Sequence, residues 1–164
     1  MRGAAIVDAG RVMVTFVDDE LFALAADIRV NAVNCVGVMG AGIARAFKAR
    51  YPDMFRAYRR ACAAGLVAPG RLDVWRRDDE WVVNVPTKRH WRDRSRYEDV
   101  AAGLVALRVY LVACGRVRVV MPALGCGRGG LAWTRVAAMI REQLGAVDAE
   151  VVVCEPRDDA RGET

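Results

Sequence analysis

Val117-Arg118-Val119-Val120-Met121, then Gly125-Cys126-Gly127-Arg128-Gly129-Gly130, then Trp133, Val136, Ile140 and Leu144, read in turn as a buried strand, a glycine loop and an amphipathic helix. The strand is rich in β-branched residues, and the apolar residues after the loop recur at helical spacing. The order occurs once before. Ile28-Arg29-Val30-Asn31-Ala32-Val33 is a strand, Cys35-Val36-Gly37-Val38-Met39-Gly40-Ala41-Gly42 a glycine loop, and Ile43 and Phe47 share one face of the helix that leaves it. Strands alternating with helices predict an α/β fold: a three-layer α/β/α sandwich with a mixed central sheet, holding ligands beyond the carboxyl ends of its strands. Both glycine loops occupy such ends.

The remaining elements fit around these two units. Residues 11–17 read as an opening strand and Glu150–Cys154 as the last. Tyr51-Pro52-Asp53 punctuates the chain before a helical stripe of Phe55, Tyr58 and Cys62, which Gly65 closes in the left-handed conformation open to glycine. After a turn at Pro69-Gly70 come two strands, 72–75 and 81–85, separated by the charged Arg76-Arg77-Asp78-Asp79-Glu80, with Pro86 ending the second. Ser95-Arg96-Tyr97-Glu98 matches a helix capping box, and Tyr97, Val100, Leu104, Leu107 and Leu111 continue an apolar face behind it.

With 164 residues, 54% of them hydrophobic, the chain has the material for one well-buried core and is short for two. One domain over 1–156 is expected, followed by a disordered polar tail over 157–164. No segment approaches the roughly 20 apolar residues of a membrane span, and Asp8 interrupts the N-terminus before a signal-peptide core could form. A cytoplasmic protein with no membrane partner is expected. The five cysteines, Cys35, Cys62, Cys114, Cys126 and Cys154, are odd in number and scattered, and with the single His90 they show no metal-ligand spacing. Reduced thiols and no metal are expected.

A net charge of +5 suits a polyanionic partner. Of the 25 Lys and Arg residues only Lys48 and Lys88 are lysines. The distinction has chemical weight, because lysine can lose its proton and act as a nucleophile whereas arginine stays charged. Lys48 reads as a helix-surface residue. The two glycine loops can each present consecutive backbone N–H groups beside the positive end of a helix dipole, so together they suit a diphosphate. Neither ends in Gly-Lys-Ser/Thr, and neither forms a dinucleotide fingerprint in the first βα unit. On the residues alone a second reading stays open, in which the glycines only permit tight turns.

Three stretches together carry a family resemblance: Val30-Asn31-Ala32-Val33-Asn34-Cys35 with the first glycine loop, Pro86-Thr87-Lys88-Arg89-His90-Trp91-Arg92, and Pro122-Ala123-Leu124-Gly125-Cys126-Gly127-Arg128-Gly129-Gly130-Leu131. The combination resembles a macrodomain and, more narrowly, the macrodomains of DarG-type antitoxins, which remove ADP-ribose from DNA and reverse modification by a DarT-type toxin. It spans residues 11–154. The resemblance implies ADP-ribose as ligand and product, no cofactor, and a DarT-like toxin as counterpart.

By the same resemblance, Asn34 would contact the distal ribose, and Gly40 and Gly42 would line that ribose and the nearby phosphate. Gly125, Cys126, Gly127, Arg128 and Gly129 would wrap the diphosphate with main-chain N–H groups. Glu20, before Leu21, stands where many macrodomains place an Asp that accepts from the adenine amino group. Lys88 would be catalytic: in related hydrolases a lysine attacks the anomeric carbon of the distal ribose, displaces the modified group and leaves a ring-opened lysyl intermediate that water resolves. That requires a neutral amine, which partial burial or a nearby cation such as Arg89 would favour. Protein-directed relatives carry an acid in the second glycine loop where this chain has Gly129, a difference that favours DNA as substrate.

Residues 88–97 pack Lys88, Arg89, Arg92, Arg94 and Arg96 together with His90, Trp91 and Tyr97. Cations hold phosphates while aromatics stack on unpaired bases, the usual combination for single-stranded nucleic acid. Arg89, His90, Trp91 and Arg92 are expected to contact DNA, and Tyr97 to belong to the core of the following helix. The expected activity is therefore an ADP-ribosyl glycohydrolase acting on modified bases of single-stranded DNA, from a protein that is a monomer. The alternatives are a hydrolase of ADP-ribosylated protein and a non-catalytic ADP-ribose reader. DarG-type antitoxins also carry a C-terminal region that restrains the toxin, for which nothing after Pro156 provides; the expectation is either a shortened chain or action by hydrolysis alone.

Overall fold

The computed structural model describes residues 14–157, together with the backbone of Val7–Asp8 and Arg11–Val12. The expected tail, apart from Arg157, lies outside the described residues. In chain order come the short pair β1 (Val7–Asp8) and β2 (Arg11–Val12), β3 (Thr15–Val17), a 3-10 turn over Leu21–Ala23, β4 (Ile28–Val33), α1 (Gly42–Arg50) and α2 (Pro52–Ala63). They are followed by β5 (Asp73–Arg77), β6 (Glu80–Pro86), α3 (Tyr97–Cys114), β7 (Arg118–Pro122), α4 (Trp133–Leu144) and β8 (Glu150–Cys154). One mixed sheet has the order β3-β8-β7-β4-β6-β5, parallel except where β5 runs against β6. The three-layer α/β/α sandwich expected from the sequence is borne out.

Successive residues of each central strand enter two different cores, as the period of two requires. Ile28 and Val30, Val83 and Val85, Val119 and Met121, and Val151 and Val153 point to the face covered by α3 and α4, against Val100, Leu104, Leu107, Val136 and Ile140. Val33, Val82, Val120 and Val152 point the other way, towards Phe47, Met54 and Tyr58 of α1 and α2. Burial on both faces is why these strands are so rich in apolar residues. Polar residues break the second face in a single row: Asn31, Asn84 and Asp73 are register partners across β4, β6 and β5. Asn31 Nδ2 donates to Asn84 Oδ1 at 3.1 Å, and Asn84 Nδ2 donates to Asp73 Oδ2 at 3.0 Å.

Helix ends follow local chemistry. Pro52 opens α2 at its first position, where no N–H is needed. Gly65, at φ +72°, closes it as expected, with Gly65 N–H on the Cys62 carbonyl and Leu66 N–H on the Ala61 carbonyl, a Schellman pair.

Three expectations are corrected. The opening strand over 11–17 is divided: β1 and β2 pair with each other, and β3 keeps only the three residues that match Val152, Val153 and Cys154 of β8. Propensity along the run could not see how much partner strand was on offer. The charged 76–80 turn shrinks to Asp78-Asp79, because Arg77 pairs with Glu80 in the ladder and Asp78 takes the positive φ of 52° that a two-residue hairpin demands. The capping box is not made. The N-cap of α3 is Arg96, and Asp99 and Val100 donate to its carbonyl, while Ser95 is drawn away by its N–H bond to the Gly129 carbonyl.

Candidate ligand site at the strand ends

β3, β4, β6, β7 and β8 run parallel, so their carboxyl ends open on one side of the sheet. There they share a cavity of about 960 Å³, the upper end of the size range of small-molecule sites. Each strand contributes the segment that follows it: 19–22 after β3; Asn34, Val38 and 40–44 after β4; Thr87, Lys88, Trp91 and Ser95 after β6; Ala123, Gly125, Gly127, Arg128 and Gly129 after β7; 155–157 after β8. Of the residues singled out from the sequence, Glu20, Leu21, Asn34, Gly40, Gly42, Lys88, Trp91, Gly125, Gly127, Arg128 and Gly129 come together here.

Asn34 organises the first glycine loop. Its Oδ1 accepts from the N–H groups of Val36 at 3.0 Å and Val38 at 3.4 Å, and its Nδ2 donates to the Val38 carbonyl at 2.7 Å. The buried Tyr58 hydroxyl adds contacts of 2.9 Å to Oδ1 and 2.7 Å to the Asn34 carbonyl. Most of the amide is thus spent on the loop, a turn-building role beside the ribose contact expected of it. Beyond Val38 the chain enters α1 at Gly42, and Gly42, Ile43 and Ala44 of its first turn line the cavity at the positive end of the helix dipole.

In the second loop the Cys126 N–H is taken by the Ala123 carbonyl at 3.1 Å, whereas the N–H groups of Gly125, Gly127, Arg128 and Gly129 make no backbone bond among the described residues. Cys126 stands apart from its loop neighbours: it donates within the loop, does not line the cavity, and packs in the α3–α4 core. Burial pushes its thiol up to about 12, the reverse of nucleophile activation.

Lys88 stands at the head of the β6–α3 loop. Partial burial holds its ammonium below the ordinary lysine range, Arg128 pushes the same way, and Asp93 opposes both. The cation that acts on it is Arg128 of the second glycine loop and not Arg89, which is tied to Asp99. Among the described residues no carboxylate comes within 4 Å of the amine.

At the other end, Glu20 pairs with Arg157 at 2.5 Å, and Phe22 lines the wall against Phe47 at 4.9 Å between ring centres. Trp91 is 47% exposed at the cavity, with the Arg92 guanidinium 4.6 Å from its ring centre and the His90 ring at 5.4 Å. Arg89, His90 and Arg92 do not line the cavity; the latter two brace Trp91, and His90 Nδ1 accepts the Arg92 N–H at 3.1 Å. Tyr97 packs against the α3–α4 core as expected and accepts the Ala132 N–H at 3.1 Å. Sequence reasoning missed Phe22, Ser95 and Arg157. Phe22 follows Leu21 directly and could have been found as an aromatic beside Glu20 and Leu21, but Arg157 enters only because β8 ends next to β3.

Glycine loops from two strand ends line one cavity at the carboxyl edge of the sheet's parallel strands, the arrangement of an α/β protein with a ligand-sized site beyond its strand ends. The macro domain family model matches residues 30–140, and the chain belongs to the macro domain family. It is 42% identical over 155 residues to the DNA ADP-ribosyl glycohydrolase of Thermus aquaticus, covering 91% of this chain and 43% of that protein. It is 40% identical over 146 residues to the protein of the same name from Mycobacterium tuberculosis, covering 85% of this chain and 42% of that one. The chain thus spans about two-fifths of the length of the curated relatives it matches. The macrodomain of Thermus aquaticus DarG superimposes with a TM-score of 0.83 at 42% identity, over 88% of this chain and 99% of that chain. Thermosipho africanus DarTG in complex with ADP-ribose gives 0.81 at 28% identity, over 88% and 42%.

Proposed function

We propose that the protein is an ADP-ribosyl hydrolase that removes ADP-ribose from modified bases of single-stranded DNA, reversing the action of a DarT-like toxin. The observation that carries this reading is Lys88: an amine of lowered basicity at the cavity wall, beside a glycine loop with free N–H groups, in a chain related to proteins named for that activity. The diphosphate lies along the N–H groups of the second loop and the start of α1, with the adenine towards Leu21 and Phe22 and the distal ribose towards Lys88. The neutral Nζ attacks the anomeric carbon, and the N-glycosidic bond breaks with its electron pair leaving on the base, which takes up a proton. The sugar ring opens to a lysyl imine, and water then releases ADP-ribose and regenerates the amine. Trp91, braced by His90 and Arg92, stacks on a neighbouring unpaired base.

Release of ADP-ribose from an ADP-ribosylated single-stranded oligonucleotide, measured for the protein and for Lys88→Ala beside an ADP-ribose titration of both, tests this. Loss of release with retained binding is the expected result. Binding without release by either form would leave a reader of ADP-ribose, and release from ADP-ribosylated protein alone would move the substrate.

A further inference from the structure

Ser95 ends the β6–α3 loop with its side chain turned inward. The residue is 6% exposed, and its Oγ is buried with no hydrogen-bond partner among the described residues. A buried hydroxyl without a partner is costly, and native structures retain few of them. Its surroundings indicate when the partner arrives. Ser95 lines the strand-end cavity and its N–H holds the Gly129 carbonyl at 3.0 Å. A Cβ placed on Gly129 would come 2.3 Å from Ser95 Oγ and 2.5 Å from the Gly125 carbonyl oxygen, so the hydroxyl abuts the loop with no room for a side chain between them. The loop that the hydroxyl abuts is the one whose Gly125, Gly127, Arg128 and Gly129 N–H groups make no backbone bond among the described residues.

We propose that Ser95 is a positioning residue for the second glycine loop, its buried hydroxyl gaining a hydrogen-bond partner only when the loop closes on a nucleotide diphosphate. This rests on the cavity being a nucleotide-diphosphate site, as proposed above. A capping serine is satisfied in the free protein and its loss lowers stability. Ser95 Oγ has no hydrogen-bond partner among the described residues, so its loss is expected to be felt in ligand binding and not in stability.

The test is Ser95→Ala, melted without ligand and titrated with ADP-ribose. The expected result is an unliganded melting temperature equal to or above that of the parent protein, with ADP-ribose bound about fivefold to thirtyfold more weakly. Unchanged ADP-ribose affinity overturns the proposal, whether or not the melting temperature falls. Failure of the parent protein itself to bind ADP-ribose is seen before the variant is made, and it sinks the diphosphate reading together with the role built on it.

Discussion

Arg89 and Asp99 meet through two contacts of 3.3 Å, Nε to Oδ2 and Nη2 to Oδ1, and only one partner is buried: the Asp99 side chain is 6% exposed and the Arg89 side chain 57%. The pair ties the residue after Lys88 to the first turn of α3. Cys35 secures the same stretch, its N–H on the Arg89 carbonyl at 3.3 Å and its thiol on the Lys88 carbonyl at 3.4 Å. Removing Arg89 strands a buried carboxylate, whereas removing the Asp99 charge leaves a guanidinium that can turn to water. Arg89→Ala is therefore expected to lower the melting temperature further than Asp99→Asn. Both should slow turnover, by about tenfold for a misplaced nucleophile, more than they weaken ADP-ribose binding.

The lowered basicity of Lys88 sets a pH profile. Because the proposed attack needs the neutral amine, turnover should rise with pH to an inflection below the ordinary lysine value of 10.5. Arg128→Ala removes a like charge and moves the inflection up; Asp93→Asn removes an opposite charge and moves it down. The folded-state value lies below the unfolded one, so the unfolded chain binds the extra proton between them, and this group's contribution to stability is gained as pH rises through the folded-state value. Rate profiles of the three proteins check the order, and an inflection at or above 10.5 in the parent would contradict the role of Lys88.

Gly129→Ala should displace the second glycine loop. The added Cβ meets the Gly125 carbonyl oxygen at 2.5 Å, a backbone atom that cannot swing aside, as well as Ser95 Oγ at 2.3 Å. Overpacking of this kind costs about 1–3 kcal/mol, and because the strain falls on the loop it should appear as ADP-ribose affinity weakened by about tenfold or more. Calorimetric titration reads it directly.

Asn84→Leu removes the middle of the polar row beneath α2. It leaves Asn31 Nδ2 without its oxygen acceptor and Asp73 without its amide donor while nearly conserving volume. Stranding two such groups should cost about 3 kcal/mol, a fall of about 6–12 °C in the melting temperature for a chain of this size. A shift under 2 °C, about the effect of a surface change, would mean the row contributes little.

Trp91→Ala should separate nucleic acid from nucleotide. Loss of one stacked base is worth about 1–3 kcal/mol, so binding of an ADP-ribosylated oligonucleotide should weaken about fivefold to a hundredfold while free ADP-ribose binding changes little. Equal losses for both ligands would place Trp91 in the nucleotide site instead.

Much of this was legible in the chain. The strand and helical patterns located the sheet and four helices because both faces of β4, β6, β7 and β8 are buried and these strands are therefore rich in β-branched and other apolar residues. The glycine loops and Lys88 stood out because backbone N–H display and a scarce titratable amine are properties of residue type. Edges were less legible: β3 is short because β8 offers it three partners, and Ser95 looked like a cap because its bond to Gly129 crosses 34 residues.

The sequence by itself determined the layers, the loops and the identity of the groups that could meet a phosphate, since these depend on periodicity and on local backbone chemistry. Tertiary structure alone decided which of those groups act on one another. Arg128 and not Arg89 bears on Lys88, Cys126 turns into the core, and Arg157 reaches Glu20. Electrostatic and steric interactions depend on distances in space, and parallel strands bring together loops that the intervening helices keep far apart along the chain.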